Sequence, residues 1–368
     1  MKKLLIYGMK EPAGGVETAV MAYVRGFDPE RITVDAAVFE DGFSYKEEIA
    51  ARGGKVHVLP VRRADPKGYT AAVEKLFAEN KYDAVWCNFS GLTNIDFLRL
   101  AKKYGINKRI AHSHTNALAW GSPVMKYAVT ALHEKNKHVI GKYATDFWGC
   151  SRRSAKFMFG EKFGENAKVI PNVIDTKRFC FCPEDRKAVR EEFGIGENAF
   201  VLGHVGRMCV AKNQTLLIDI FEKLAQADEN ARLLFVGDGE LKEQIISYAK
   251  TRACFDRIIF TGSRTDTQRL YSAMDVFCLP SLNEGFPVTL IEAQSEGLPC
   301  AVSLQAVDRD ADICGNMAFL SVNDAPDKWA DEIIRVYKEN KPPVKAVGDT
   351  VYDITTAVKS LQDFFTME

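Results

Sequence analysis

The sequence predicts an α/β fold with two Rossmann-like, doubly wound domains that face each other across a ligand cleft. Three observations lead to this prediction: the length of 368 residues, the alternation of short apolar segments with amphipathic ones, and a single interruption of that alternation. A chain of this length is too long for one ordinary domain and suits two. Apolar strands that alternate with amphipathic helices indicate βαβ units and parallel sheets.

The N-terminal domain is predicted to cover residues 1–175. Its predicted strands are KLLIYG, TVDAAVF, KVHVLPV, DAVWCNF, RIAHSH and DFWGC. Helical patterns separate them, namely VETAVMAYVRGF, YTAAVEKLFAEN, TNIDFLRLAKKYG and VMKYAVTALHEKNKHVIGKYA. Doubly wound domains bind ligands at the carboxyl ends of their strands, so the cleft between two such domains is the expected site.

The alternation is interrupted over residues 165–198, where prolines and a dense charge cluster favour a domain boundary. A second series of strands and helices follows, so residues 176–353 are predicted to form a C-terminal domain. The last helical pattern, over residues 354–366, is expected to pack back on the N-terminal domain.

Composition points to a soluble globular protein of the cytoplasm. No apolar run approaches the roughly 20 residues that span a bilayer. The apolar stretch at the N-terminus ends at Lys10 and Glu11, which is too early for a secretion signal. The nine cysteines include no CxxC pair, which is typical of reduced structural thiols.

Charge is distributed unevenly along the chain, although the net charge is zero. Residues 1–175 contain 27 Lys and Arg against 19 Asp and Glu, and the remainder contains 22 against 30. The basic half suits an anionic acceptor or a membrane surface, and ordinary solvated charge explains it about as well. No nucleic-acid partner is expected.

Three segments are candidates for ligand binding. Gly14 and Gly15 precede a predicted helix, where backbone amides can approach a phosphate or a sugar, although such a pair is also common in simple turns. Arg207 and Lys212 follow the first strand of the second domain and suit a diphosphate; two surface cations are the alternative. The dinucleotide fingerprint GxGxxG is absent from the first loop.

The most informative segment is LPSLNEGFPVTLIEAQSEGLP. Glu284 lies in a loop that Gly285 and Pro287 shape, and Glu292 lies in the apolar sequence VTLIEAQ of the helix that follows. A carboxylate near a helix N-terminus can accept hydrogen bonds from vicinal sugar hydroxyls.

These segments resemble family 4 of the retaining glycosyltransferases. The resemblance rests on EGFPVTLIE, GHVGR with KNQ, LLFVGDGELKEQI, IIFTGSRTD and VIPNVIDTKRF, and RIAHSHTN is similar to members that build capsular and exopolysaccharides. It implies a GT-B enzyme that moves a hexose or N-acetylhexosamine from a nucleotide-diphosphate sugar, most often a UDP-sugar. The acceptor would be a glycan or a lipid-linked molecule.

The resemblance also implies roles for individual residues. Glu292 would bind the ribose, and Glu284 would bind the transferred sugar beside the amides of Gly285 and Phe286. Arg207 and Lys212 would hold the diphosphate and neutralise the leaving group. From the other domain, Gly15 would bring amides to the donor and His114 would contact the sugar near the reacting carbon, with His112 the less favoured choice.

Neither a metal nor another cofactor is expected, because the family's usual reaction is a front-face attack assisted by the departing phosphate. The acidic run Asp308–Asp312 is interpreted as a solvated loop. One departure from the family pattern occurs in Pro171–Asp175, PNVID, which lacks the family's glycine and puts the local turn in doubt.

Two clusters of basic residues in the N-terminal half suit a lipid-diphosphate acceptor at the inner face of a membrane, with solvated faces as the alternative. Rival functions are a nucleotide-sugar epimerase, a nicotinamide oxidoreductase and a non-catalytic sugar-nucleotide-binding paralogue. The basic residues are Lys102, Lys103, Lys108 and Arg109 in one cluster and Lys135, Lys137, Lys142, Arg152, Arg153 and Lys156 in the other.

Overall fold

The computed structural model describes residues 1–11, 13–118, 123–339 and 346–367. The chain divides into two compact units, Met1–Val173 together with Ile354–Glu368, and Ile174–Asp353. We call them unit 1 and unit 2. The predicted boundary after residue 175 lies two residues beyond the division between the units.

Unit 1 contains a parallel sheet of seven strands in the order β3-β2-β1-β4-β5-β6-β7. The order reverses between β1 and β4, which makes their carboxyl ends the switch point of a doubly wound domain. The strands are β1 (Lys2–Tyr7), β2 (Ile32–Val38), β3 (Val56–Val58), β4 (Ala84–Phe89), β5 (Lys108–Ser113), β6 (Asp146–Gly149) and β7 (Lys168–Val169).

Parallel strands need long crossover connections, and helices provide most of them in unit 1. They are α1 (Gly15–Gly26), α2 (Lys46–Ala51), α3 (Pro66–Glu79), α4 (Asp96–Lys103), α5 (Pro123–Val139), α6 (Arg152–Gly164) and, after unit 2, α13 (Ile354–Thr366), with a 3₁₀ turn at Ile140–Lys142.

Unit 2 repeats the arrangement with six parallel strands in the order β10-β9-β8-β11-β12-β13 and its switch point between β8 and β11. Its strands are β8 (Val201–Val205), β9 (Arg232–Val236), β10 (Ile258–Phe260), β11 (Val276–Leu279), β12 (Cys300–Ser303) and β13 (Met317–Leu320). Its helices are α7 (Pro183–Glu192), α8 (Gln214–Ala227), α9 (Lys242–Ala249), α10 (Thr267–Ser272), α11 (Val288–Ser295) and α12 (Pro326–Glu339), with 3₁₀ turns at Val210–Lys212, Phe255–Arg257, Arg309–Ala311 and Val347–Asp349.

Each sheet is buried on both faces, which explains why its strands are continuously apolar. In β1, Leu5 joins one core cluster of unit 1 and Leu4 joins the other. In β8, Val201 and Leu202 divide in the same way between the two clusters of unit 2. The alternation follows from the two-residue repeat of a strand.

Helix α13 packs against α1 inside unit 1. A β-carbon placed on Gly26 would lie 2.4 Å from a methyl group of Val358, so the glycine permits the close approach of the two helices. At the end of α13, Phe365 lies edge-on to Phe27 with ring centroids 6.0 Å apart.

Within residues 165–198, where the sequence predicts an interruption and a domain boundary, the structure adds a helix that was not predicted, α7 over Pro183–Glu192. Proline at its first position and Glu184 and Asp185 in its first turn favour helix formation there. Among its ten residues only Val189 and Arg190 are buried, so the apolar pattern that identifies a helix from sequence is weak.

Candidate functional site

The loops that follow β8 and β11 meet at the switch point of unit 2 because these strands are neighbours in the sheet. Arg207 and Lys212 lie in the first loop, and Glu284 lies in the second. A parallel sheet with this strand order brings together residues that are far apart in the sequence.

Lys212 and Glu284 form an ion pair within unit 2. The ammonium nitrogen of Lys212 donates to Oε1 of Glu284 at 2.6 Å, and the two side chains are 17% and 10% exposed. The Ser281 hydroxyl donates to the same Oε1 at 2.6 Å. No partner of the other carboxylate oxygen, Oε2, occurs among the described residues, so this oxygen can accept a hydrogen bond from a ligand.

Backbone hydrogen bonds hold the two loops together. The amide of Leu282 donates to the carbonyl of Ala211 at 2.7 Å, and Nδ2 of Asn213 donates to the carbonyl of Pro280 at 3.2 Å. Asn213 adopts a left-handed conformation with φ of 53°, which asparagine tolerates better than most residues. The positions of Lys212 and Glu284 are therefore fixed by the loop backbones as well as by their own contact.

Arg207 does not join the Lys212–Glu284 pair. Its side chain is 72% exposed and its Nε donates to Glu240 at 3.0 Å. The carbonyl of Arg207 accepts from Nε2 of Gln214 at 2.9 Å, so the first residue of α8 anchors the loop while the guanidinium extends from it. An exposed arginine on an anchored loop can turn towards an anion.

Glu292 lies in the middle of α11, and its Oε2 accepts from the Tyr271 hydroxyl at 2.7 Å. Burial raises the pKa of this carboxyl, against the opposing effects of Tyr271 and Arg178. In the described residues Oε1 has no hydrogen-bond partner, so one oxygen is oriented by the protein and the other is left for a ligand.

The loop between the two glutamates leads directly into α11. Pro287 is the N-cap residue, and the Phe286 ring stacks on Tyr352 with ring centroids 5.2 Å apart. Gly285 is half-buried between Glu284 and Phe286. In the first turn of α11, the buried Thr289 hydroxyl has no hydrogen-bond partner among the described residues.

In unit 1, Gly14 is the N-cap of α1 and Gly15 is its first residue. The Gly14 amide donates to Glu17 at 2.8 Å and the Lys10 amide donates to the same carboxylate at 2.9 Å. The Gly14 amide is thus occupied by an internal carboxylate, which the sequence analysis did not anticipate. A β-carbon on Gly15 would meet no atom within 4 Å, so this position is open to approach.

His114 follows β5, and its Nε2 lies 2.8 Å from Oδ1 of Asn88 at the end of β4. Burial lowers the pKa of His114 to about 3, so the ring is neutral at neutral pH. The neighbouring His112 is 2% exposed and accepts from the Trp86 indole at 3.1 Å. His112 is therefore a core residue, while His114 is half-buried at the strand end.

Several residues of the two predicted basic clusters are engaged in internal contacts. Lys103 is paired with Glu74 at 2.6 Å, and Lys156 is paired with Glu165 at the same distance. Others bond to backbone carbonyls or to a neighbouring acid, namely Lys102 to Lys142, Lys108 to Phe364, Arg109 to Tyr143 and Lys137 to Glu134. The first cluster is thus largely structural, whereas Lys135 and Arg152 in the second are exposed.

No group of three or more His, Cys, Asp or Glu side chains suited to a metal ion occurs in residues 1–11, 13–118, 123–339 and 346–367. In the acidic run, Asp312 accepts from the Gly315 amide at 2.8 Å, which is a turn contact. All nine cysteines are free thiols.

Sequence reasoning missed four polar residues that support these positions: Ser281, Gln214, Thr289 and Asn88. Gln214 is 2% exposed and its Oε1 has no partner within the described part of the chain. The sequence carries little indication of their role, because single polar residues are common at the ends of strands and helices. The loops that these side chains contact become evident only from the strand order of the two sheets.

Part of unit 2 matches a known protein family. Residues 199–339, all within unit 2, match the family described as glycosyl transferases group 1. The two parallel-sheet units have the GT-B fold, as the sequence predicted, and the matched segment is similar to this group of glycosyltransferases.

Two relatives with the name of a transferase align with much of the chain. A Bacillus subtilis (strain 168) protein named "Putative glycosyltransferase EpsF" is 28% identical over 365 residues, covering 96% of this chain and 93% of the relative. An Escherichia coli UDP-Gal:α-D-GlcNAc-diphosphoundecaprenol α-1,3-galactosyltransferase is 34% identical over 242 residues, covering 62% of this chain and 59% of the relative.

Solved structures agree on the fold. Anabaena HepE in complex with UDP and glucose has a TM-score of 0.75 at 19% identity and covers both chains completely. A Rickettsia africae glycosyltransferase has a TM-score of 0.78 at 15% identity, covering 99% of this chain and 97% of the other. In the described residues, none of the helices combines the length and the apolar character needed to cross a bilayer.

Proposed function

We propose that this chain is a retaining glycosyltransferase of family 4 that transfers a hexose or N-acetylhexosamine from a UDP-sugar to a glycan or lipid-linked acceptor. Surface polysaccharide synthesis is the proposed process, at the cytoplasmic face of a membrane. The observation that carries the proposal is the pairing of Lys212 with Glu284 at the switch point of unit 2. The name of the Escherichia coli relative supports the lipid-linked acceptor class, because it specifies a diphosphoundecaprenol acceptor.

The pairing matters because it places a cation beside a carboxylate that has one oxygen without a partner among the described residues. A diphosphate needs positive charge, which Lys212 supplies directly and Arg207 supplies from its exposed position. A sugar ring needs acceptors for its hydroxyls, which Oε2 of Glu284 provides. Glu292, held by Tyr271, is proposed to accept the ribose hydroxyls.

We assign supporting contacts to the remaining predicted residues. The backbone of Gly285, Phe286 and Pro287 shapes the loop beside Glu284 and is proposed to line the donor. Gly15 lies at the N-terminus of α1, where the amides and the helix dipole favour an anion, although the Gly14 amide is already bound to Glu17. His114 is proposed to contact a sugar hydroxyl of the substrate.

The proposed reaction breaks the bond between the anomeric carbon and the phosphate oxygen and forms a bond from that carbon to the acceptor oxygen on the same face. The acceptor proton moves to the departing phosphate oxygen. A double displacement is the other route to retained configuration, and it would need a carboxylate that attacks the anomeric carbon as a nucleophile. Lys212 and Arg207 are proposed to stabilise the charge on the leaving diphosphate without a metal ion.

The test is a nucleotide-release assay with a panel of UDP- and GDP-sugars, with and without a crude pool of lipid-linked acceptors. Release from one donor, dependent on the acceptor and lost in Glu292→Ala, is the expected result. Conversion of the nucleotide sugar without any acceptor would favour an epimerase instead. Binding of a donor with no turnover under any condition would favour a non-catalytic binding protein.

A further inference from the structure

Asn88 links the ends of three strands in unit 1. Its Nδ2 donates to the carbonyl of Tyr7 at 3.2 Å, and its Oδ1 lies 2.8 Å from Nε2 of His114. The side chain is 5% exposed. Gly8, with φ of +93°, packs so closely on this residue that a β-carbon would lie 2.2 Å from the Asn88 carbonyl oxygen. Asn88 is therefore held on both sides.

The contacts of Asn88 fix the direction of its amide. A backbone carbonyl can only accept a hydrogen bond, so the NH₂ group of Asn88 must face Tyr7 and its oxygen must face His114. Because that oxygen also only accepts, Nε2 of His114 must carry the proton. In a neutral imidazole the lone pair is then on Nδ1.

We propose that Asn88 is a positioning residue that holds His114 as its Nε2–H tautomer, so that Nδ1 accepts a hydrogen bond from a substrate hydroxyl and donates none. This inference rests on the proposed function for the identity of the ligand as a sugar. It predicts that His114 selects for a hydroxyl and against a phosphate or carboxylate oxygen at the same place, since two acceptors repel each other.

The surroundings of His114 support a neutral ring. The titratable side chain beside it is His112 of β5, with 4.0 Å between the ring centroids, and Asn88 of β4 and the Tyr7 carbonyl of β1 carry no charge. Burial keeps the pKa of His114 near 3. No partner of its Nδ1 occurs among the described residues.

Three other histidines provide references within the same molecule. His112 and His133 each accept at Nδ1, from the Trp86 indole and the Leu92 amide, and are expected to be Nε2–H tautomers. His204 lies with Nδ1 2.9 Å from the Cys278 carbonyl and is expected to be the Nδ1–H tautomer. The opposite pattern of His204 shows that the measurement can report both states.

The test is ¹⁵N NMR of substrate-free protein with labelled histidines. Long-range couplings between the ring nitrogens and the carbon-bound ring protons identify which nitrogen is protonated. The chain has six histidines, and His114→Asn assigns the His114 signal. We expect the Nε2–H tautomer for wild-type His114 and a mixture of both tautomers in Asn88→Ala, with His112 and His204 unchanged. Asn136→Ala, which removes a side-chain contact to the Leu92 carbonyl in the same unit, is the matched control and should leave His114 unchanged.

Kinetics add the second readout. Asn88→Ala is expected to lower kcat/KM about tenfold, the loss typical of one oriented hydrogen bond. Combined with His114→Asn, it should add no further loss, because Asn88 acts through His114. An Nδ1–H tautomer in the wild type, an unchanged tautomer in Asn88→Ala, or additive kinetic losses would overturn the inference. Absence of transfer by the wild type would instead overturn the proposed function, since the NMR measurement needs no substrate.

Discussion

Glu292 in the middle of α11 and Glu296 at its C-cap lie one turn apart, and their carboxyls differ in what surrounds them. Glu292 is oriented by Tyr271 and has an oxygen left for a ligand. Glu296 is 6% exposed, accepts from Ser272 at 3.0 Å, and has a buried Oε1 without a partner among the described residues. Burial raises the pKa of both carboxyls, that of Glu296 to about 7. Only Glu292 has a proposed role in binding.

We predict that Glu296→Gln stabilises the protein at alkaline pH. A folded-state pKa of about 7, above the ordinary value, means that the stabilising effect of the protonated form is complete below pH 4.5 and is lost as the pH rises through 7. The variant and the wild type should therefore unfold at similar urea concentrations at pH 4.5, and the variant should be more resistant at pH 8. Equal stability at both pH values would contradict this account of Glu296.

A second prediction concerns the pair Lys212 and Glu284. Lys212→Met and Glu284→Gln should each lower the free energy of unfolding by about 2 kcal/mol, because each leaves a partly buried charge without its opposite charge. The double variant should recover most of that stability. Nucleotide release should fall at least about 100-fold in all three variants, because the function of the pair is to bind the substrate.

The control for this pair is Lys103→Met, which breaks a pair of the same 2.6 Å length with Glu74 at a more exposed place in unit 1. It should leave the free energy of unfolding nearly unchanged, because exposed ion pairs contribute little, and should leave nucleotide release intact. Recovery of activity together with stability in the double variant would show that the pair is structural.

At the scale of elements, α13 is the segment that returns to unit 1 after the chain has completed unit 2. Leu361 of this helix is 1% exposed in the core cluster that also contains Phe27 and Trp86. We predict that Leu361→Ala destabilises unit 1 by about 2–5 kcal/mol, the usual loss for a large buried side chain. Hydrogen exchange should increase in peptides from β1 and α1 and remain unchanged in β8 and α8.

Lys359→Ala, at an exposed position of the same helix, is the control and should change neither unit. A uniform increase in exchange across both units after Leu361→Ala would contradict the assignment of α13 to unit 1.

The elements also show how far sequence reasoning reached. Strand AVWCNF was predictable because burial on both faces demands continuous apolar residues. Helix α7 was missed because charge dominates its surface. The proximity of Lys212 and Glu284, and of Asn88 and His114, depends on strand order, which no local pattern encodes.

At the scale of the whole molecule, the basic character of the first half leads to a prediction about membranes. We predict that the protein sediments with anionic vesicles at low salt and is released at high salt, because screening weakens surface charge interactions. Lys135→Glu with Arg152→Glu, two exposed cations of the second basic cluster, should reduce the bound fraction. Unchanged sedimentation with and without vesicles at low salt would remove the proposal of membrane contact.

The central claim is that unit 2 binds a nucleoside diphosphate through Lys212, Glu284 and Glu292. The most direct test is titration calorimetry of UDP and GDP with the wild type, Glu292→Gln and the control Glu296→Gln. We predict that at least one nucleotide binds the wild type, that Glu292→Gln weakens binding at least about tenfold, and that Glu296→Gln does not. Equal affinity in all three proteins, or no binding of either nucleotide to a folded wild type, would contradict the claim.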